Sequence, residues 1–195
     1  YGDHRDLHLS LRRQRQMCIR DRCNTKIDEQ EMRIGLGIDT HELIKGKFIR
    51  LCGVNIPSTV SIKAHSDGDI IFHAVADAIL GAIAGGDIGD YYPDTDLKNL
   101  NLNSSIIVQD VIKKALLKGY VLNNLDITLL LETPKIYAYK NDMIANISNL
   151  FSESTPDEVI NKDMFNIKAS TSESLGYIGR GEGVTCYCVV SLREI

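Results

Sequence analysis

Between Ala64 and Asp90 the chain sets two histidines, His65 and His73, and five carboxylates, Asp67, Asp69, Asp77, Asp87 and Asp90, among Ala and Ile. Packing alone needs no such density of ionisable groups. Upstream, Asp39 and His41 stand two apart in G-I-D-T-H. Side chains two apart on an extended chain project to one side, so a carboxylate and an imidazole would share a target. His73, one turn into a following helix, adds a third donor. One carboxylate and two imidazoles with an open fourth position make a catalytic zinc set; the same donors also suit non-haem iron. A plainer reading is a surface Asp-x-His and a core His73 bonded to Asp69 or Asp77, each four residues away on the helix. Asp77 fits both readings, because a metal-bound imidazole usually donates its second nitrogen to a nearby acceptor.

Three further stretches could handle phosphate. His65 and Ser66 precede a helix N-terminus, where backbone N–H groups attract anions; they also read as a capping turn. Thr171-Ser172-Glu173 offers hydroxyls and an acid suited to a hard metal or phosphate, or a cap with its capping-box Glu. The run Gly176 to Gly183 is no Walker loop, since no Lys-Ser/Thr follows. Arg180 within it could fork a phosphate or simply decorate a turn. Cys186 and Cys188 alternate along a strand and read as packing.

The elements that must position these groups follow from periodicity. Arg33 to Ile38 and Phe48 to Val54 read as strands, the second ended by Asn55-Ile56-Pro57. Ser66 or Asp67 caps a helix whose apolar positions run from Ile70 to Gly85-Gly86. A long polar loop covers Gly85 to Asn103, and such loops are often functional. Asn103 or Ser104 caps a helix that Gly119 ends. Val121 to Glu132 is a strand broken by Pro134, and a helix follows from about Ile136 to Phe151. Thr155-Pro156-Asp157-Glu158 carries the signature of another helix start. Phe165 to Ala169 and Val184 to Leu192 are strands around the glycine-rich turn. The pattern predicts an α/β (α+β) two-layer sandwich, a mixed β-sheet with helices packed on one face.

The totals set outer limits. The 195 residues carry a net charge of −4, which argues against a nucleic-acid surface. The longest apolar run, near Ile79 to Ala84, is far shorter than the roughly 20 residues of a membrane span. Five cysteines, an odd number without a C-x-x-C pair, fit a reducing cytoplasm rather than a disulfide framework. Residues 1–31 differ from the rest: Ser10 to Arg22 is rich in Arg and lacks a hydrophobic period. That leader reads as a transit peptide or, preferably, as translated sequencing-adapter sequence foreign to the protein. It is set apart as non-native or disordered. Met32 is a natural start, and 32–195 forms a single domain. A plastid-type organelle is compatible with the transit-peptide reading.

Six motifs in register resemble one family: R-I-G-L-G-I-D-T-H, A-H-S-D-G-D, G-D-I-G-D-Y-Y-P-D-T-D, E-T-P-K, K-A-S-T-S-E and L-G-Y-I-G-R-G-E-G. They are similar to those of the 2-C-methyl-D-erythritol 2,4-cyclodiphosphate synthases of the non-mevalonate isoprenoid pathway, over Met32 to Ile195. The resemblance implies a homotrimer with active sites between subunits. It implies Zn2+ on Asp39, His41 and His73. A second ion, Mg2+ or Mn2+, falls on Glu173 and phosphate oxygens. His65 and Thr171 fall where the family aligns the reacting phosphates, with Ser66 beside them. Asp87, Ile88 and Gly89, and the stretch Tyr92, Pro93, Asp94, Thr95 and Asp96, fall where it holds the erythritol. Leu131, Glu132, Thr133, Pro134, Lys135, Ile136 and Tyr137 fall where it holds cytidine, together with Ser170 and Thr171, and Ser172 and Glu173 count among the substrate contacts. Ile38, Tyr177, Arg180 and Glu182 fall near the trimer axis, where members can bind an isoprenoid diphosphate. Leu36 stands for a frequent His, Ile38 for an aromatic, Tyr92 for Phe and Ser172 for Thr.

The implied reaction is cyclisation of 4-diphosphocytidyl-2-C-methyl-D-erythritol 2-phosphate with release of CMP, a phosphorus–oxygen lyase step. Two other classes remain open: a metal-dependent phosphohydrolase, and a non-catalytic isoprenoid- or nucleotide-binding trimer. Some relatives are fused to the preceding cytidylyltransferase, and this chain is too short to contain both. Neither nucleic acid nor membrane is an expected partner.

Overall fold

The computed structural model describes residues 31–64, 66–93, 95–99 and 101–195. The leader, with Cys18 and Cys23, lies outside the described residues apart from Glu31. Seven strands are β1 (Met32–Lys45), β2 (Phe48–Leu51), β3 (Val54–Pro57), β4 (Val60–Ile62), β5 (Tyr120–Leu130), β6 (Phe165–Ser170) and β7 (Gly183–Glu194). Five of them form a mixed sheet in the order β4-β1-β7-β5-β6, antiparallel except for the β5/β6 pair. The helices are α1 (Ile70–Ala82), α2 (Ile88–Tyr91), α3 (Ser104–Leu117), α4 (Lys140–Ser154) and α5 (Gly176–Gly179).

Strand alternation decides which side of the sheet carries the helices. Gly35 and Gly37 of β1, Leu125, Ile127 and Leu129 of β5, and Cys186, Cys188 and Val190 of β7 point into the core. Their neighbours Ile34, Leu36, Ile38, Tyr187 and Val189 face outward and are well exposed. The helices therefore cover one face, the two-layer sandwich expected, and the other is an open apolar surface. Among the described residues, no helix is long and apolar enough to cross a membrane.

α1 is the central helix, with Ala74, Val75, Ala76, Ala78 and Leu80 fully buried. It lies directly on β1 because glycine leaves room. A Cβ on Gly35 would meet the Ala78 carbonyl oxygen at 1.9 Å, and one on Gly37 the Ala74 carbonyl oxygen at 2.0 Å. The cap of α1 is Asp69, not Ser66 or Asp67. Its buried carboxylate accepts from Phe72 N–H and also from Cys52 N–H at 2.9 Å and Gly53 N–H at 2.6 Å. One acid thus starts the helix and ties down the β2–β3 turn.

Several boundaries differ from the sequence expectation. β1 continues past Ile38 to Lys45, which places Asp39 and His41 inside a strand. The expected strand Phe48 to Val54 is instead a hairpin, turned at Cys52 (φ 50°) and Gly53 (φ 74°), and Asn55-Ile56-Pro57 belongs to its second strand. The loop after Gly85 holds α2 and a 3₁₀ turn, Leu97–Asn99. No helix starts at Thr155. Its hydroxyl and N–H both donate to the Phe151 carbonyl, at 2.8 and 2.9 Å, and so it closes α4.

Candidate metal centre and active site

Asp39 and His41 project from the core side of β1 toward α1, and the close seating of α1 on the β1 glycines brings His73 above them. His41 Nε2 lies 3.0 Å and His73 Nδ1 3.2 Å from Asp39 Oδ2. The three donor atoms all fall within 4.8 Å of one another. Bond lengths of 2.0–2.1 Å put tetrahedral zinc ligands about 3.3 Å apart, so the set fits one divalent ion with little movement. The distal nitrogen of His41, Nδ1, faces the Lys63 carbonyl at 3.2 Å. A carbonyl only accepts, so it favours hydrogen on Nδ1 and leaves Nε2 to coordinate. Burial raises the Asp39 pKa, but the hydrogen bonds and charge of His41 and His73 prevail and hold the carboxyl well below its usual range. It is therefore an anionic ligand at neutral pH.

The plainer reading of His73 fails on geometry. Asp69 is turned to the β2–β3 hairpin, and Asp77 Oδ1 accepts from Ile88 N–H at 2.8 Å. The second nitrogen of His73 meets hydroxyls instead, Ser104 Oγ at 3.0 Å and Ser66 Oγ at 3.2 Å.

These three side chains sit in the wall of a cavity of about 670 Å³. Ser66, Ile88, Gly89, Tyr92 and Asp96, all singled out from sequence, line it as well. Lys63, Asn99, Leu102 and Ile107 line it too, and no local pattern marks them. Asp77 anchors the rim through Ile88, and Asp87 and Asp90 form a reciprocal capping box around α2. Burial and then Asp77's acidic neighbours raise the Asp77 carboxyl's pKa above its usual value, in spite of the Ile88 N–H. The Tyr92 hydroxyl donates to Asp110 Oδ2 at 2.8 Å; burial, and then that carboxylate, push the phenol up to about 12. Pro93 and Thr95 are exposed and are not among the residues that line the cavity. His65 and Asp94 lie outside the described residues.

A second group gathers where β5 and β6 end side by side. Leu131 N–H donates to the Ser170 carbonyl at 3.0 Å, and Ser172 N–H to Glu132 Oε1 at 2.9 Å. That N–H, foremost, keeps the Glu132 carboxyl below its usual pKa. Thr133-Pro134 is cis. Thr171 Oγ1 donates to Glu173 Oε1 at 2.9 Å, and Ile136 is buried whereas Tyr137 stands out at 86 % exposure. Lys135 is exposed, with its charge near Glu132. The cavity lining includes none of 131–137 or 170–173.

The glycine-rich segment forms the one-turn α5. Arg180 is held in a fork by Glu182, with Nε–Oε1 at 2.9 Å and Nη2–Oε2 at 2.8 Å. Tyr177 OH and Thr40 Oγ1 both meet Thr185 Oγ1, at 2.6 and 2.9 Å.

Comparison with known proteins agrees with this architecture. The YgbB family matches residues 32–193. A 2-C-methyl-D-erythritol 2,4-cyclodiphosphate synthase from Acinetobacter baumannii (strain SDF) is 42% identical over 164 residues, covering 84% of this chain and 98% of that protein. The bifunctional enzyme IspD/IspF of Wolbachia pipientis wMel is 44% identical over 171 residues, 85% of this chain. This chain spans only 41% of that relative's length. The solved structure of IspF from Plasmodium falciparum in complex with CDP superposes with a TM-score of 0.71 at 32% identity, over 84% of this chain and 96% of that one. The chain belongs to the YgbB family, that of the cyclodiphosphate synthases.

Proposed function

We propose that the protein converts 4-diphosphocytidyl-2-C-methyl-D-erythritol 2-phosphate to 2-C-methyl-D-erythritol 2,4-cyclodiphosphate and CMP. The observation that carries this is the Asp39/His41/His73 donor set in the wall of a cavity large enough for a phosphorylated ligand. A 2-phosphate oxygen attacks the β-phosphorus, the bond from that phosphorus to the bridging oxygen breaks, and CMP leaves with the electron pair. The nucleophile is anionic near neutral pH, so the residues need to align and neutralise rather than remove a proton. A zinc ion at the three ligands would act as Lewis acid and template on the diphosphate.

Around it, Ile88, Gly89, Tyr92 and Asp96 form the erythritol wall, and His65 and Thr171 align the phosphates. Glu173 would hold a Mg2+ or Mn2+ ion that neutralises charge on the diphosphate. Leu131 to Tyr137, with Ser170 and Thr171, form the cytidine pocket; that the Plasmodium relative was solved in complex with CDP supports a cytidine ligand. Both groups are required, and the cavity lining of one protomer includes only the first, which supports sites shared between subunits. The exposed Ile34, Leu36, Ile38 and Val189 supply the apolar face through which three copies would associate. Near the axis, Arg180 and Glu182 would border an isoprenoid diphosphate site. The setting is cytoplasmic.

The test is to incubate zinc- and magnesium-loaded protein with the cytidine substrate and identify products by mass and phosphorus NMR. CMP plus cyclic diphosphate, both lost on chelation, is the expected result. CMP with an uncyclised diphosphate would instead make water the nucleophile and the protein a phosphohydrolase. Cytidine binding without turnover would leave a binding trimer.

A further inference from the structure

We propose that Ser104 and Asp67 are positioning residues that fix the imidazole of His73 in one tautomer, with hydrogen on Nε2 and the Nδ1 lone pair aimed at the metal position. The inference rests on reading Asp39, His41 and His73 as a metal set.

The argument is one of donors and acceptors. Ser104, the first residue of α3, is fully buried, and its Oγ lies 3.0 Å from His73 Nε2. A hydroxyl could either donate to that nitrogen or accept from it. Ser104 has one hydrogen, and Asp67 Oδ1 takes it at 2.5 Å. The oxygen therefore offers only lone pairs to the ring, which favours hydrogen on the ring nitrogen. The second hydroxyl near Nε2, that of Ser66 at 3.2 Å, accepts from Gly68 N–H at 3.3 Å and keeps a lone pair that can accept from the ring as well.

Asp67 is itself held so that it cannot turn away. Its Oδ2 accepts from the Ser104 backbone N–H at 3.2 Å and faces Arg50 Nε at 3.3 Å, while Oδ1 also accepts from Asp69 N–H at 3.3 Å. One carboxylate thus grips the N–H and the O–H of a single serine. The arrangement links three otherwise separate elements: Arg50 on β2, the turn before α1, and the start of α3. His41 reaches the same end through the Lys63 carbonyl. The two imidazoles present opposite ring nitrogens to Asp39, Nε2 from His41 and Nδ1 from His73, because their outer partners sit on opposite sides.

Partners of this kind change metal affinity about 10- to 100-fold when removed. The full chain, stripped of metal, is titrated with Zn2+ alone against a chromophoric chelator, and His73 is observed by 15N–1H NMR in the zinc-loaded protein, because without metal the Asp39 carboxylate draws a hydrogen onto Nδ1. The native zinc-loaded protein should show His73 with hydrogen on Nε2 and slow exchange with solvent. Ser104→Ala should lose that slow exchange and bind Zn2+ about 10- to 100-fold more weakly, with Ser104→Thr restoring both. Hydrogen on Nδ1 of His73 in the native zinc-loaded protein would overturn the proposal without any variant. So would a Ser104→Ala protein with native zinc affinity and native exchange of the Nε2 hydrogen. His73→Ala separates the two levels: zinc loss there with none in Ser104→Ala removes only the serine's role, whereas unchanged zinc binding in His73→Ala removes the metal reading itself.

Discussion

His73 Nδ1 stands 3.2 Å from Asp39 Oδ2 across 34 residues of chain, and the contact depends on a helix resting on bare glycine backbone. Gly37, two residues before Asp39, has the Ala74 carbonyl where a side chain would be. Ala74 in turn is the residue after His73. Helix seating and ligand geometry are therefore one problem.

Gly37→Ala should push α1 off β1. A backbone carbonyl 2.0 Å from the new carbon cannot rotate aside, so the cost is at the upper end of overpacking, about 3 kcal/mol. Thermal unfolding should show the loss of stability, and equilibrium dialysis should show weakened zinc binding in the protein that remains folded. Native zinc affinity in a folded Gly37→Ala protein would refute the link between seating and site.

Asp39→Asn and His73→Ala should each abolish turnover while the fold survives, since the two side chains meet one another in the cavity wall rather than in the apolar core cluster. Circular dichroism and product formation, measured on the same preparation, check this. Normal activity in either variant would remove that residue from the site.

Asp69 makes an opposite kind of prediction. Burial raises its pKa above 3.8 although three N–H groups favour the carboxylate. A carboxyl that holds its proton more tightly when folded contributes most below pH 3.8 and loses that contribution as pH rises through its folded value. Asp69→Asn keeps an acceptor and does not titrate. Urea midpoints from acid to neutral pH should move in favour of the variant as pH increases. Asp69→Ala, which orphans buried N–H groups and a cap, should cost about 3–5 kcal/mol at any pH.

If active sites are shared between subunits, two inactive proteins should rescue one another. Mixing His73→Ala with Glu173→Gln protomers, after dissociation and reassembly, should restore part of the native rate. Ile38→Glu together with Val189→Glu should instead yield smaller particles by light scattering, with zinc still bound. No rescue on mixing would place the whole site within one protomer.

How much of this could be read without coordinates depends on how local the cause is. Asp39, His41 and His73 were legible because two lie on one strand at a spacing of two and the third opens a helix. Ser104 and Asp67 looked like caps, and nothing near them in the chain announces that α3 begins against His73. The hairpin at Cys52-Gly53 was missed because no Asn-Gly or Asp-Gly marks it; Asp69, 16 residues on, stabilises it. Thr155-Pro156 misled for a related reason. A threonine able to cap a downstream helix can also bond backward, and the Phe151 carbonyl was there to receive it.

β1 carries the helix-seating glycines and metal ligands on one side and Ile34, Leu36 and Ile38 on the other. Alternation by single residues makes the two sides inseparable in heredity. One codon gained or lost between Gly37 and Asp39 would turn both ligands outward and an isoleucine or threonine inward at a stroke. Substitutions can tune either surface alone, but this stretch can change its length only by losing both.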